Sequence, residues 1–256
     1  MIVEELLPLV SERFLNDAHY REGHLRIINA LPDRRVLGMH TPDMKMLARN
    51  LFRQGESEQI IRRFEQEPPE TLCYEELTIW GYLINLQKCT FGERIPMLER
   101  FIPLMDNWAI CDCWCCNAKW IAKTDKESVW EFLQPYFRSE REFEVRFAII
   151  VSMLYFLREE WLERVFSKLD ELDFDRIKSE YRTAKRKPAT PQEGTVQGTA
   201  PYYVRMGAAW LLAMSLAKFE ERTREYARNS KLPADVIKMY VRKARESFRT
   251  RTIDAL

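Results

Sequence analysis

Apolar residues recur along this chain at intervals of three and four, the spacing that places them on one face of an α-helix. No segment alternates apolar and polar residues over the length of a strand, and the 256 residues include only eight glycines. The pattern therefore predicts an all-α protein without a β-sheet. It places helices at about 41–53, 57–66, 74–88, 91–104, 159–170, 202–218, 220–229 and 234–248.

Side chains that cap helices mark further boundaries. We expect helix starts at Thr41 with Pro42 behind it, at Asp106, at Thr124 or Asp125, and at Ser139 in a capping box with Glu142. The helix from 124 or 125 is expected to end before Tyr136. In the helix after Ser139, the run from Phe147 to Leu157 has one polar residue, Ser152, which predicts burial on most sides.

Many helices of similar length with short joints favour stacked antiparallel pairs, as in an α-solenoid. We predict a single helical domain over residues 1–256, with a basic mobile insertion at about 182–200 that includes Lys185, Arg186 and Lys187. Two interpretations of the insertion remain open. It is either a solvated segment without a role or an arm that contacts phosphates.

The overall charge is nearly balanced, with 40 basic against 39 acidic residues and a formal net charge of +1. A DNA-binding surface would therefore have to be a local basic patch. The chain has no uncharged apolar run of about 18 residues and no basic, apolar leader at its start, so we expect a cytoplasmic protein. We also expect a monomer that needs no cofactor.

Four of the six cysteines lie close together, at Cys111, Cys113, Cys115 and Cys116. Cys113 and Cys116 form a CxxC pair, but the second pair that a structural zinc site usually needs is missing from the sequence. We predict free thiols that pack a buried helix, and no metal.

One short segment combines an aromatic ring with a carboxylate. Trp108 and Asp112 are four residues apart, so on a helix they share one face. An indole face and a carboxylate both attract a cation. Arg146 and Trp210, in two later helices, are expected to converge with them on one cleft. Trp114 and Trp120 turn about 240° and 120° away from Trp108, so we predict that both lie in the core.

Two structural interpretations stand beside this one. Trp108 is also consistent with an ordinary core aromatic residue. Asp112 is also consistent with a buried ion pair with Arg146 that has no chemical role.

Four motifs in order resemble the DNA alkylation repair family of AlkD-type glycosylases, from about residue 20 to residue 250. The resemblance rests on Leu-Gly-Met-His-Thr-Pro at 37–42, Asp-Asn-Trp-Ala-Ile-Cys-Asp at 106–112, Glu-Val-Arg-Phe-Ala-Ile at 144–149, and Tyr-Tyr-Val-Arg-Met at 202–206 with Trp210 behind it. The segment Val-Arg-Lys-Ala-Arg-Glu-Ser at 241–247 also resembles family sequence.

The resemblance implies a right-handed superhelix of HEAT-like helix pairs with a concave DNA-binding face. It implies hydrolysis of the glycosidic bond of purines alkylated at N3 or N7 in double-stranded DNA. The family's catalytic carboxylate follows a Trp by four residues, which here gives Asp112 after Trp108. Its essential arginine corresponds to Arg146, and its second aromatic wall corresponds to Trp210.

Predicted DNA contacts come from the same motifs and from the basic insertion. They are His40, Thr41, Arg205, Lys185, Arg186 and Lys187. The chain departs from the family pattern at Val145, where many members have a first arginine, and in its near-neutral charge. These departures leave an alternative open, a catalytically inactive HEAT-like scaffold that binds DNA structures or a protein partner.

Overall fold

A computed structural model describes residues 3–31, 33–179 and 201–256. All regular structure in these ranges is helical, and the nearest approach to a sheet there is an isolated bridge between Arg141 and Lys178. The all-α prediction is confirmed. The chain divides into two compact units, residues 1–124 and 125–256. The prediction of a single solenoid domain depends on how the two units are arranged, and it stays a prediction. No helix in the described ranges is long and apolar enough to span a membrane.

The first unit is built around one almost entirely buried helix. Its helices are α1 (Val3–Leu6), α2 (Glu12–Asn16), α3 (Ala18–Ile28), α4 (Thr41–Gln54), α5 (Ser57–Gln66), α6 (Tyr74–Leu86), α7 (Phe91–Phe101) and α8 (Trp108–Asn117), with 3₁₀-helices at Leu7–Leu9, Ile102–Leu104 and Lys119–Lys123. Helix α6 packs against α4, α5, α7 and α8. Every residue from Tyr74 to Ile84 is buried, which is typical of a helix that is apolar all round.

Helix α6 also fixes the turn that leads into α4. The carboxylate of Glu75 is fully buried and accepts hydrogen bonds from the backbone N–H groups of Leu37, Gly38 and Met39 at 2.9, 2.8 and 3.3 Å. Burial raises the pKa of Glu75, and the three N–H donors oppose that rise. The turn needs glycine, because Gly38 has φ +99° and a Cβ there would lie 2.1 Å from Cγ of Phe14.

The second unit is built around two buried helices. It contains α9 (Lys126–Phe137), α10 (Glu142–Tyr155), α11 (Leu162–Asp170), α12 (Tyr202–Leu216), α13 (Glu220–Asn229) and α14 (Ala234–Glu246), with a 3₁₀-helix at Glu159–Trp161. Helix α12 packs against α10, α13 and α14, and α10 also packs against α9. Between Phe147 and Leu157 all residues are buried except Leu154, which is half-buried, so the predicted central helix is confirmed.

Two predicted caps are wrong because other partners bind the side chains. Helix α8 is capped by Asn107, whose Oδ1 accepts from the N–H of Ile110 at 3.1 Å, and not by Asp106. The Asp106 carboxylate instead accepts from Nε of Arg34 at 2.7 Å, and both side chains are largely buried. An ion pair between the start of α8 and the loop from α3 to α4 thus replaces the expected cap.

The capping box at 139–142 is wrong for the same reason. Helix α10 begins after Arg141, which makes no side-chain cap. The hydroxyl of Ser139 donates to the carboxylate of Glu144 at 2.7 Å, and Glu142 binds groups in other segments. Of the two alternatives at 124 and 125, the cap is Asp125, which accepts from Ser128 N–H at 2.8 Å.

Two helix boundaries also move. Helix α4 begins at Thr41 itself, so that the N-cap position falls on His40 and not on Thr41. Helix α9 runs through Tyr136 to Phe137 although Pro135 lies inside it, so the end predicted before Tyr136 is wrong. Pro135 has no N–H to donate to the preceding turn, yet the helix continues for two more residues.

Candidate functional site

The N-terminus of α8 presents an indole and a carboxylate one helical turn apart. Trp108 is half-buried, and its Nε1 donates to the backbone carbonyl oxygen of Ile27 at 2.9 Å, which fixes the orientation of the ring. Asp112 follows one turn later and is 8% exposed. The partial exposure of Trp108 means that it is not an ordinary core aromatic residue. An aromatic ring and a carboxylate on one helical turn both favour a cation.

Four cysteines flank Asp112 along α8. Cys111 and Cys115 are buried, Cys113 is half-buried and Cys116 is exposed, and none of the four forms a disulfide. The prediction that the cysteines pack a buried helix is therefore confirmed for Cys111 and Cys115 only. Burial, followed by the charge of Asp112 among the other causes, raises the pKa of Cys116. In the ranges that the structure describes, no group of three or more His, Cys, Asp or Glu side chains could hold a metal ion.

In the second unit, Arg146 links α10 to α12. Arg146 is 4% exposed, and its Nη1 donates to the backbone carbonyl oxygen of Tyr203 at 2.7 Å. Its guanidinium carbon lies 5.8 Å from the centre of the Tyr203 ring. Gly207 of α12 lies against the same side chain, because a Cβ there would be 3.5 Å from Nη1. Trp210 follows on α12 and is half-buried, so part of its indole reaches solvent.

Glu142, which the sequence analysis placed only in a capping box with Ser139, links α10 to α12 beside Arg146. It lies one helical turn before Arg146, is 3% exposed, and accepts from the N–H of Tyr203 at 2.7 Å and from the hydroxyl of Ser179 at 2.6 Å. Pro201, at the N-cap of α12, makes no side-chain cap, and the Glu142 carboxylate accepts from a first-turn N–H of that helix. The signal that could have found it is its spacing from Arg146, which puts both side chains on one face of α10.

The predicted DNA contacts fall in three different environments. His40 and Thr41 are exposed at the start of α4. Arg205 is only 12% exposed and pairs with Asp235, which leaves less of its guanidinium for a phosphate. Lys185, Arg186 and Lys187, together with the insertion at 182–200, lie outside the described residues.

Of the two tryptophans assigned to the core, only Trp114 belongs to it. Trp114 is 2% exposed, whereas Trp120 is half-buried and lines an open cavity. The prediction for Trp120 is wrong because it extends the α-helical turn angle past Asn117, where α8 ends. Residues Lys119–Lys123 form a 3₁₀-helix, which has fewer residues per turn.

The four predicted catalytic residues divide between the units, Trp108 and Asp112 in the first and Arg146 and Trp210 in the second. Their convergence on one cleft stays a prediction. A family model described as DNA alkylation repair enzyme matches residues 13–177, more than half of the chain. The matched range includes Trp108, Asp112 and Arg146, and Trp210 lies beyond it. No curated protein and no solved structure matches the chain significantly.

Proposed function

The chain belongs to the DNA alkylation repair enzyme family, and from that premise we propose that it hydrolyses the N-glycosidic bond of purines alkylated at N3 or N7 in duplex DNA. The observation that carries the proposal is the pairing of a buried carboxylate, Asp112, with the half-buried indole of Trp108 on one turn of α8. A HEAT-like concave face that holds the duplex is part of the same proposal.

The chemistry that this pair supports is electrostatic. A purine alkylated at N3 or N7 is cationic and leaves as a neutral base without protonation. As the bond from C1′ to the purine nitrogen breaks, positive charge develops on the sugar. A fixed carboxylate stabilises that charge, and an indole face adds to the stabilisation. Water then bonds to C1′, and its proton passes to Asp112 and on to solvent.

We assign Arg146 a positioning role. Its guanidinium is buried and donates to the carbonyl oxygen of Tyr203, so it holds the first turn of α12 together with Glu142. Helix α12 in turn carries Trp210, whose solvent-accessible indole we propose as a second aromatic face for the cationic substrate. We therefore propose that Arg146 acts through α12.

The test is release of free base from two substrates. We expect the protein to release 7-methylguanine from methylated duplex DNA well above the spontaneous rate, and to leave uracil in a matched duplex untouched. Uracil is a neutral leaving group, and we assign no general acid to protonate it. Binding of the duplex without release of 7-methylguanine would support the inactive HEAT-like scaffold instead, an alternative that the net charge of +1 favours.

A second expected result concerns the basic insertion. Lys185, Arg186 and Lys187 are replaced by Gln. The slope of log affinity against log salt is then expected to become less steep by about 0.9 for each phosphate that is no longer neutralised. The measurement is duplex binding by fluorescence anisotropy from 50 to 200 mM salt, roughly the range over which binding to phosphates weakens strongly. An unchanged slope would assign these residues to a solvated segment without a role.

A further inference from the structure

The first unit contains an open cavity that none of the proposed catalytic residues lines. It has a volume of about 370 Å³, within the range of roughly 300–1,000 Å³ typical of small-molecule sites. We call it the α4–α6–α8 cavity after the helices around it. Its lining residues are Lys45, Arg49, Tyr82, Asn85, Leu86, Asn117, Lys119 and Trp120.

Three cationic side chains line this cavity. Lys45 and Arg49 are one turn apart on α4 and share a face, and Lys119 follows the end of α8. The lining contains no Asp or Glu, and within residues 3–31, 33–179 and 201–256 none of the three forms an ion pair. A concave site with charge of one sign concentrates counter-ions, so the cavity favours an anion.

The convergence of the two lysines has independent support. Burial and the charge of Asp112 raise the pKa of the Cys116 thiol, whereas Lys119 and Lys45 both oppose that rise. Both ammonium groups therefore lie near Cys116, at the C-terminal end of α8, although 74 positions separate them in the chain. The Asp112 carboxylate, which does not line the cavity, also acts on Cys116.

The rest of the lining suits a flat organic ring. Tyr82, Leu86 and Trp120 form an apolar wall. The wall is held firmly, because Nε1 of Trp120 donates to Oδ1 of Asn85 at 2.8 Å, and the Arg94 guanidinium lies 4.6 Å from the centre of the indole. Aromatic and aliphatic side chains of this kind pack well against a planar base.

One polar group at the wall is positioned to bind a ligand edge. Nδ2 of Asn117 donates to the carbonyl oxygen of Cys113 at 2.7 Å, which fixes the orientation of the amide. In the part of the chain that the structure describes, Oδ1 of the same amide has no hydrogen-bond donor. Asn117 thus offers an acceptor to an N–H or amino group, as purine and pyrimidine bases present.

We propose that the α4–α6–α8 cavity binds one nucleotide unit, with its phosphate among the three cationic side chains and its base against the apolar wall. A phosphate alone would leave the wall unused, and a nucleoside would leave three positive charges without a counter-ion. The same chemistry is offered by a free nucleoside monophosphate and by a nucleotide turned out of a DNA strand. The site does not depend on the hydrolytic role of Asp112.

The experiment titrates the full chain with guanosine 5′-monophosphate, guanosine and inorganic phosphate by calorimetry. We expect the nucleotide to bind at least about tenfold more tightly than either fragment, because phosphate and base contacts act together. The triple variant K45Q/R49Q/K119Q is expected to weaken nucleotide binding by about tenfold or more. Thermal unfolding of each variant confirms that it is folded.

A matched variant separates local from overall charge. R228Q/K231Q/K238Q removes three exposed cationic side chains of the second unit and is expected to bind the nucleotide as the wild type does. Equal loss in both triple variants would overturn the proposal, as would binding of phosphate or guanosine as tightly as the nucleotide. Displacement of bound nucleotide by a duplex with one extrahelical nucleotide, but not by a fully paired duplex, would identify DNA as the source. Failure of both duplexes to displace it would identify the free nucleotide.

Discussion

Asp112→Asn is expected to lower the rate of 7-methylguanine release by roughly 10²–10³, because removal of one preorganised charge-stabilising group typically costs about 3–4 kcal/mol of transition-state stabilisation. The substitution keeps the size and shape of the side chain and removes its negative charge. Asp112 is 8% exposed, so solvent screens its negative charge little and the loss of that charge has a large effect. The measurement is single-turnover release of base with enzyme in excess, which separates chemistry from product release.

Asp175→Asn is the matched control for this experiment. Asp175 is exposed in the second unit and far along the chain from α8, so the same chemical change there is expected to leave the rate unchanged. The melting temperatures of both variants report whether the fold is kept. If Asp112→Asn releases 7-methylguanine as fast as the wild type, Asp112 does not stabilise the transition state and its burial has a structural origin.

The helices that sequence predicts best are those whose boundaries depend on local patterns. Helix α5 matches its predicted range of 57–66 at both ends. The amphipathic pattern that defines this helix lies within the segment itself. The pattern does not predict α1, α2 or α3. Segments of four or five residues, such as α1 and α2, have too few turns to show a period, and they form through tertiary packing rather than propensity.

The cap of α8 depends on a contact between residues that are distant in sequence. Asp106 has the right residue type to cap α8, but Arg34 lies 72 positions away in sequence and binds its carboxylate at 2.7 Å. The bond to the largely buried Arg34 joins two opposite charges, whereas a cap would join the carboxylate to neutral N–H groups, and Asn107 caps the helix instead. No pattern within the segment contains that competition.

The site was predictable where it lies on one helix. Spacing alone puts Trp108 and Asp112 on one face of α8, and the structure confirms that they lie one turn apart. The α4–α6–α8 cavity was not predictable in that way. Its three cations come from two distant segments, and Trp120 enters the lining only because the α-helix gives way to a 3₁₀-helix after Asn117.

Gly38→Ala is expected to destabilise the protein by about 2–4 kcal/mol, and Gly55→Ala by only about 1 kcal/mol. Both glycines have positive φ, +99° and +80°, so both substitutions carry a backbone penalty of about 1–2 kcal/mol, which the reduced entropy of the unfolded chain partly offsets. They differ in their surroundings. A Cβ at Gly38 would lie 2.1 Å from the Phe14 ring, whereas one at Gly55 would meet nothing within 4 Å.

The difference between the two free energies of unfolding, measured in urea, isolates the collision with Phe14. That ring is buried, so it cannot yield by moving into solvent, and overpacking of this kind costs about 1–3 kcal/mol. Displacement of the turn would also strain the hydrogen bonds from Leu37 and Gly38 to Glu75. Equal destabilisation by both substitutions would mean that the turn before α4 moves freely, and that its glycine serves backbone conformation alone.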